Sequence, residues 1–127
     1  MRKFLFAALL TATLLSCGTK DADRTVTVVP YPNEVTVLDG TFNALGAGFK
    51  CDTKMDQASL DAVNRFQEQL SFISGTEAGT RSNAIIFEVD QTLEPEAYGL
   101  KITGSKVKVT ASALNGFNYA IQTLKQM

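Results

Sequence analysis

Carboxylates are the first residues to weigh for chemistry in this chain. Asp90, Glu94 and Glu96 form the one close acidic cluster after the first helical segment. Two carboxyl groups can cleave a glycosidic bond, one as acid and the other as base or nucleophile. Pro95 stands between the two glutamates, however, and the chain has no Trp to serve as a sugar platform. The cluster therefore reads as a solvated loop. Tyr31, Tyr98 and Tyr119 fall on different predicted elements, where a Tyr usually packs its ring inward with its hydroxyl at the edge. Gly46-Ala47-Gly48 is too short for a phosphate-binding fingerprint and opens no helix, so it reads as a strand irregularity.

The second chemical candidate is cysteine. Cys51 has no histidine to activate it, because the chain contains none. It is expected to be a small core or strand residue. The absence of histidine also removes most zinc sites, Ser-His-Asp triads and imidazole bases. Cys17 is different. Arg2 and Lys3 precede an apolar run of about 12 residues, Phe4 to Leu15, which suits a secretory leader and is too short to span a membrane. The run ends in Leu14-Leu15-Ser16-Cys17-Gly18, which looks like a bacterial lipobox. Cleavage before Cys17 would leave that residue as the lipidation site and the protein as an exported, membrane-anchored lipoprotein, periplasmic or at the cell surface. Lys20-Asp21-Ala22-Asp23 follows as a solvated tether.

The expected organisation is a signal peptide over 1–16, a tether over 17–25 and one domain over 26–127. Without the leader about 111 residues remain, enough for one core. The formal charge goes from −1 to about −3, and no basic run suggests nucleic acid as a partner.

The elements that must position these residues follow from periodicity. Val26, Val28 and Val29 lead into Pro30-Tyr31-Pro32, an edge or extended segment, because proline offers no ladder N–H. Glu34 to Leu38 alternates as a strand with Val35 and Val37 on one face. Asp39-Gly40 signals a turn, so Thr41 to Phe49 is expected to return as its partner. Asp56 or Ser59 can cap a helix with the stripe Leu60, Val63, Phe66, Leu70 and Ile73, ended by Ser74-Gly75. Ala84 to Val89 is dense in β-branched residues and predicts a central strand. Tyr98, Leu100 and Ile102, then Val107, Val109 and Ala111, alternate with polar residues about Gly104-Ser105. This predicts a hairpin with a type II′ turn, one face buried and the other carrying lysines. Ser112 is the expected N-cap of a last helix with the stripe Phe117, Ala120, Ile121, Leu124 and Met127, and Gly116 brings that helix close to the sheet. The expected class is α+β, a mostly antiparallel sheet with two helices on one face. The chain stops in an amphipathic segment with no terminating residue, which reads as truncation.

Two stretches carry a family resemblance. Val29-Pro30-Tyr31-Pro32-Asn33-Glu34-Val35 is similar to a Pro-x-Pro opening. The second runs from Glu96-Ala97-Tyr98-x-Leu100-x-Ile102 through Val107-x-Val109-x-Ala111 to Gly116-x-x-Tyr119-Ala120-x-Gln122-Thr123-Leu124-x-Gln126. Together, over about residues 28–127, they resemble the non-catalytic N-terminal domain of glycoside hydrolase family 20, the β-N-acetylhexosaminidases. Related domains precede the barrels of family 84 O-GlcNAcases and family 67 α-glucuronidases, and the Pro-x-Pro opening favours family 20.

The resemblance implies a (β/α)8 barrel directly downstream. There an adjacent Asp and Glu perform substrate-assisted retaining hydrolysis of N-acetylhexosaminides, an exception to the two-carboxylate pattern. None of those residues falls in this chain, so no catalytic residue, cofactor or metal ligand is assigned. The implied partners are the downstream barrel, the membrane through acylated Cys17, and glycan by way of the barrel. Glu96 matches the Glu of the Glu-Ala-Tyr signature, with a structural role at a strand start. The alternative is a stand-alone surface lipoprotein module that binds glycan or protein.

Overall fold

The computed structural model describes residues 26–37 and 39–127. Residues 1–25, read above as leader and tether and including Cys17, lie outside the described residues. Four strands and two helices follow one another as β1 (Gly48–Cys51), α1 (Gln57–Ser74), β2 (Ala84–Val89), β3 (Tyr98–Ile102), β4 (Lys106–Ala111) and α2 (Leu114–Gln126).

The α+β class holds, but the sheet is mixed where a mostly antiparallel one was expected. Its order is β1-β2-β4-β3, with β1 parallel to β2, β2 parallel to β4, and only β3 antiparallel to β4. Connectivity explains this. The helix α1 crosses over between β1 and β2, which forces them parallel. The chain then runs outward past the β2–β4 position, and the hairpin folds β4 back into the gap beside β2.

The strand pair expected about Asp39-Gly40 does not form. Gly40 has φ 107°, so the turn signal is real, yet residues 34–37 and 41–47 are not strands. Val37 is exposed and Val35 only half-buried. Leu38 lies outside the described residues. Only Gly48–Cys51 enters the sheet, and it pairs with β2, not with the segment before the turn. Alternation alone does not choose a strand's partner; the crossover helix does.

α1 matches its reading closely. Asp56 is the N-cap, its carboxylate accepting from Ser59 N–H at 2.7 Å, and Gly75 closes the helix at φ 63°. Val63 and Phe66 are buried, while Ile73 is 81% exposed and leaves the stripe. Ser59 is itself buried, and its hydroxyl has no partner among the described residues.

Both helices lie on one face of the sheet. A run of rings joins the layers: Phe49 of β1 meets Phe66 of α1 edge-on at 5.6 Å and stacks on Phe87 of β2 at 6.2 Å, and Phe87 reaches Phe117 of α2 at 6.3 Å. Phe87, Val109, Ala111 and Ala120 are wholly enclosed. Apolar area of that kind is the main driving force of the fold.

The hairpin forms, with a different turn. Gly104 has no positive φ, so the turn is not type II′. Instead the Thr103 hydroxyl accepts from Lys106 N–H at 3.2 Å, doing what a turn carbonyl would do. Thr103 N–H donates to the Lys106 carbonyl at 2.8 Å.

Candidate functional site

The acidic loop before β3 holds the clustered carboxylates, and its side chains are occupied or solvated. Asp90 accepts from the Thr92 hydroxyl at 2.6 Å and the Thr92 N–H at 2.9 Å. These bonds, with a smaller contribution from Lys108, hold its carboxyl below the ordinary aspartate range. That shift is opposite to what a general acid needs. Glu94 and Glu96 are exposed, and neither side chain has a hydrogen-bond or ion-pair partner among the described residues. Glu96 sits in the turn before β3, without the structural contact its signature position implies.

What this loop contributes is its backbone. Glu94 O accepts from the Ser112 hydroxyl at 3.2 Å, and Pro95 O accepts from Gly116 N–H at 3.1 Å. The loop thereby takes up an N–H that the first turn of α2 leaves without an intrahelical acceptor. This is why Ser112 is not the N-cap. Ala113 holds that position without a side-chain bond.

Gly116 fixes how close α2 comes. A methyl group there would collide with the Ala97 carbonyl and stand 2.9 Å from Ala111 Cβ. About two turns further along the same helix, the Tyr98 hydroxyl lies 2.7 Å from the Thr123 hydroxyl, which is 7% exposed. At the end of α2, the Gln126 carboxamide grips the main chain of Val29. Its oxygen accepts from Val29 N–H at 2.9 Å and its nitrogen donates to Val29 O at 3.1 Å, closing a contact across 97 residues. The Val29–Pro30 peptide at this clamp is cis. Thus residues of both resemblance stretches meet along one face of α2. Among the described residues, this seam ties the opening segment and the strand β3 to α2.

Sequence reasoning missed three anchors. Gln126 carries no local signal, because its partner is at the other end of the domain. Asp52 was also passed over. Its carboxylate accepts from Lys54 N–H at 3.0 Å and Val89 N–H at 3.2 Å, tying the end of β1 to β2; these bonds, the first above all, hold its carboxyl below the ordinary value. An Asp just after a strand with a turn two residues on is a readable signal for this role. Third, Gly46-Ala47 seats the 75–82 loop: Gly46 O accepts from Arg81 N–H at 2.9 Å and Ala47 O from Gly79 N–H at 3.1 Å. Any Cβ at Gly46, whose φ is 71°, would run into Thr80.

The remaining candidates stand apart. Cys51 is in β1 as expected but exposed, not core, and desolvation pushes its thiol up, away from the thiolate a nucleophile needs. Tyr31 and Tyr119 are exposed on separate elements. An open groove of about 420 Å³ lies between Phe42, α1 and the end of α2, lined by Phe66, Leu70, Ile102, Leu124 and Met127 among others. It offers no titratable or thiol side chain.

Comparison with known proteins shows the family. Residues 25–127 match the family model described as glycosyl hydrolase family 20, domain 2. A beta-hexosaminidase of Vibrio furnissii is 30% identical over 103 residues, which are 81% of this chain and 17% of that protein. Two crystal structures of a GH20 exo-β-N-acetylglucosaminidase from Vibrio harveyi share the fold. The inactive mutant is 28% identical with TM-score 0.60, over 76% of this chain and 15% of that one. The complex with N-acetylglucosamine is 27% identical with TM-score 0.61, over 78% and 15%. The chain therefore spans about a sixth of the length of these relatives. With a family model matched from residue 25 to residue 127, this chain belongs to glycosyl hydrolase family 20 through that family's domain 2.

Proposed function

We propose that the chain is the accessory domain of a lipid-anchored β-N-acetylhexosaminidase, and that it supports a catalytic barrel without taking part in the bond cleavage. The carrying observation is the seam along α2: Gly116, Tyr98, Thr123 and Gln126 are engaged in holding the domain together. The acidic residues that could have served hydrolysis either build a turn, as Asp90 does, or stand in solvent. Hydrolysis of terminal N-acetylhexosamine residues then belongs to the barrel, and this domain's role is to pack against it. Phe72 and Ile73, 88% and 81% exposed on α1, are surface that such packing would cover.

The lipobox sequence at Cys17 supports export and acylation, with the folded domain in water beside a membrane. Two experiments test the reading. Sequencing past codon 127 should give an open frame long enough for a barrel with an adjacent Asp-Glu pair, and an early stop would leave a stand-alone module. Labelled palmitate should enter the exported protein and be lost in Cys17→Ser; label retained in that variant would remove the anchor assignment.

A further inference from the structure

The face of the sheet that the helices leave open carries a charge pattern the packing does not require. Register places Lys50, Ile86, Lys108 and Lys101 side by side across all four strands, so the four side chains share one face. Lys106 lies two residues before Lys108 and points the same way. All four lysines are exposed. Lys101 and Lys108 are directly opposed on antiparallel strands, an arrangement that like charges disfavour. The face holds one compensating partner, Glu88, paired with Lys108 at 2.6 Å, and Asp90 at the strand end also feels Lys108. Lys50, Lys101 and Lys106 have no ion pair among the described residues. A basic face of this kind stands out on a chain whose formal charge is −1.

We propose that this face is a docking surface for the anionic headgroups of the membrane that carries the protein. The argument is charge complementarity and shape. On this face the four strands place no arginine and no aromatic ring among the lysines, so the strands offer neither a guanidinium fork nor a stacking ring to select a discrete ligand. Flexible lysines on a sheet suit an extended layer of charge. The choice of a membrane over another polyanion rests on the lipid-anchor reading of Cys17. A lipid chain together with a basic patch is a two-part attachment, each part raising the effective concentration of the other.

The test is vesicle co-sedimentation of the mature polypeptide carrying Cys17→Ser, so that no lipid of its own contributes. Vesicles are of phosphatidylcholine alone or mixed with phosphatidylglycerol, at low and at high salt. Binding is expected only to the mixed vesicles and only at low salt. The triple variant Lys50→Gln, Lys101→Gln, Lys106→Gln should weaken it on the order of 100-fold, roughly fivefold per lysine. Lys125→Gln, over Phe66 in the helix layer, should leave it unchanged, and circular dichroism checks that every variant is folded. Equal binding to both vesicle types, or an unchanged triple variant, overturns the proposal. So does tight binding to heparin with none to vesicles, which would make the face a polysaccharide site. Mass spectrometry of the exported protein reads the lipid on Cys17 separately. An unlipidated Cys17 would sink the anchor, while the vesicle result would still decide the face.

Discussion

The closing half of the domain, residues 84–127, and its opening segment, residues 26–47, are held in different ways. In the closing half the patterned residues find partners close in the fold: Phe87 against Phe117, Val107 and Val109 in the sheet core, Tyr98 on Thr123. The opening segment has comparable apolar content but no ladder. Val29, Tyr31, Val37 and Leu45 stay exposed, and a main contact is the Gln126 clamp. The lesson is that a strand pattern becomes a strand only where a neighbouring edge accepts it. β2 and β4 offer such edges to each other; residues 34–37 meet none.

This contrast can be broken or sharpened by substitution. The largest effect belongs to Gly116→Ala. Its methyl group would push α2 away from the Ala97 carbonyl, and the domain should lose about 3 kcal/mol in denaturant unfolding. A change under about 0.5 kcal/mol would mean that α2 is free to shift, within the scatter of ordinary surface substitutions. Next, Tyr98→Phe leaves the Thr123 hydroxyl, 7% exposed, without its partner. A loss of about 1–2 kcal/mol is expected, read as a lower midpoint at unchanged m-value.

Gln126→Ala should act on the opening segment alone. Two bonds to Val29 are lost at an exposed site, so global stability should fall by less than about 1 kcal/mol. Hydrogen exchange at Val29 N–H should nevertheless accelerate while amides of β2 keep their protection. Equal acceleration in both regions would show that the two halves unfold as one unit.

The smallest effect is on acid stability. Asp52 and Asp90 both have folded-state pKa values below the ordinary 3.8. Each therefore contributes stability that is fully present above the unfolded value and is lost as pH falls through the folded one. Thermal midpoints should be flat near neutrality and decline below about pH 4, less steeply in Asp52→Asn. A decline that began near pH 6 would point to other groups.

Much of the fold was legible because local and tertiary preferences agree. Asp56 and Gly75 bound α1 where capping chemistry puts them, and β2, β3, β4 and α2 fall on their apolar periods. Sheet direction was not legible, since alternation is the same in parallel and antiparallel ladders and the crossover through α1 is a tertiary fact. The turn at Gly104-Ser105 was misread because the Thr103 hydroxyl replaces the carbonyl that a two-residue turn would use. At the seam, the role of Gly116 could be read from its lack of a side chain facing the sheet. The reach of Gln126 to Val29 could not, since no local pattern encodes a partner at the opposite end of the domain.

The central claim is that this domain holds structure and leaves hydrolysis to another part of the protein. The most direct test is a chromogenic N-acetyl-β-glucosaminide assay on residues 26–127 beside a longer form that includes the barrel. The account predicts turnover by the long form and none above buffer by the domain. Hydrolysis by the domain alone, abolished in Asp90→Asn or Glu96→Gln, would contradict it.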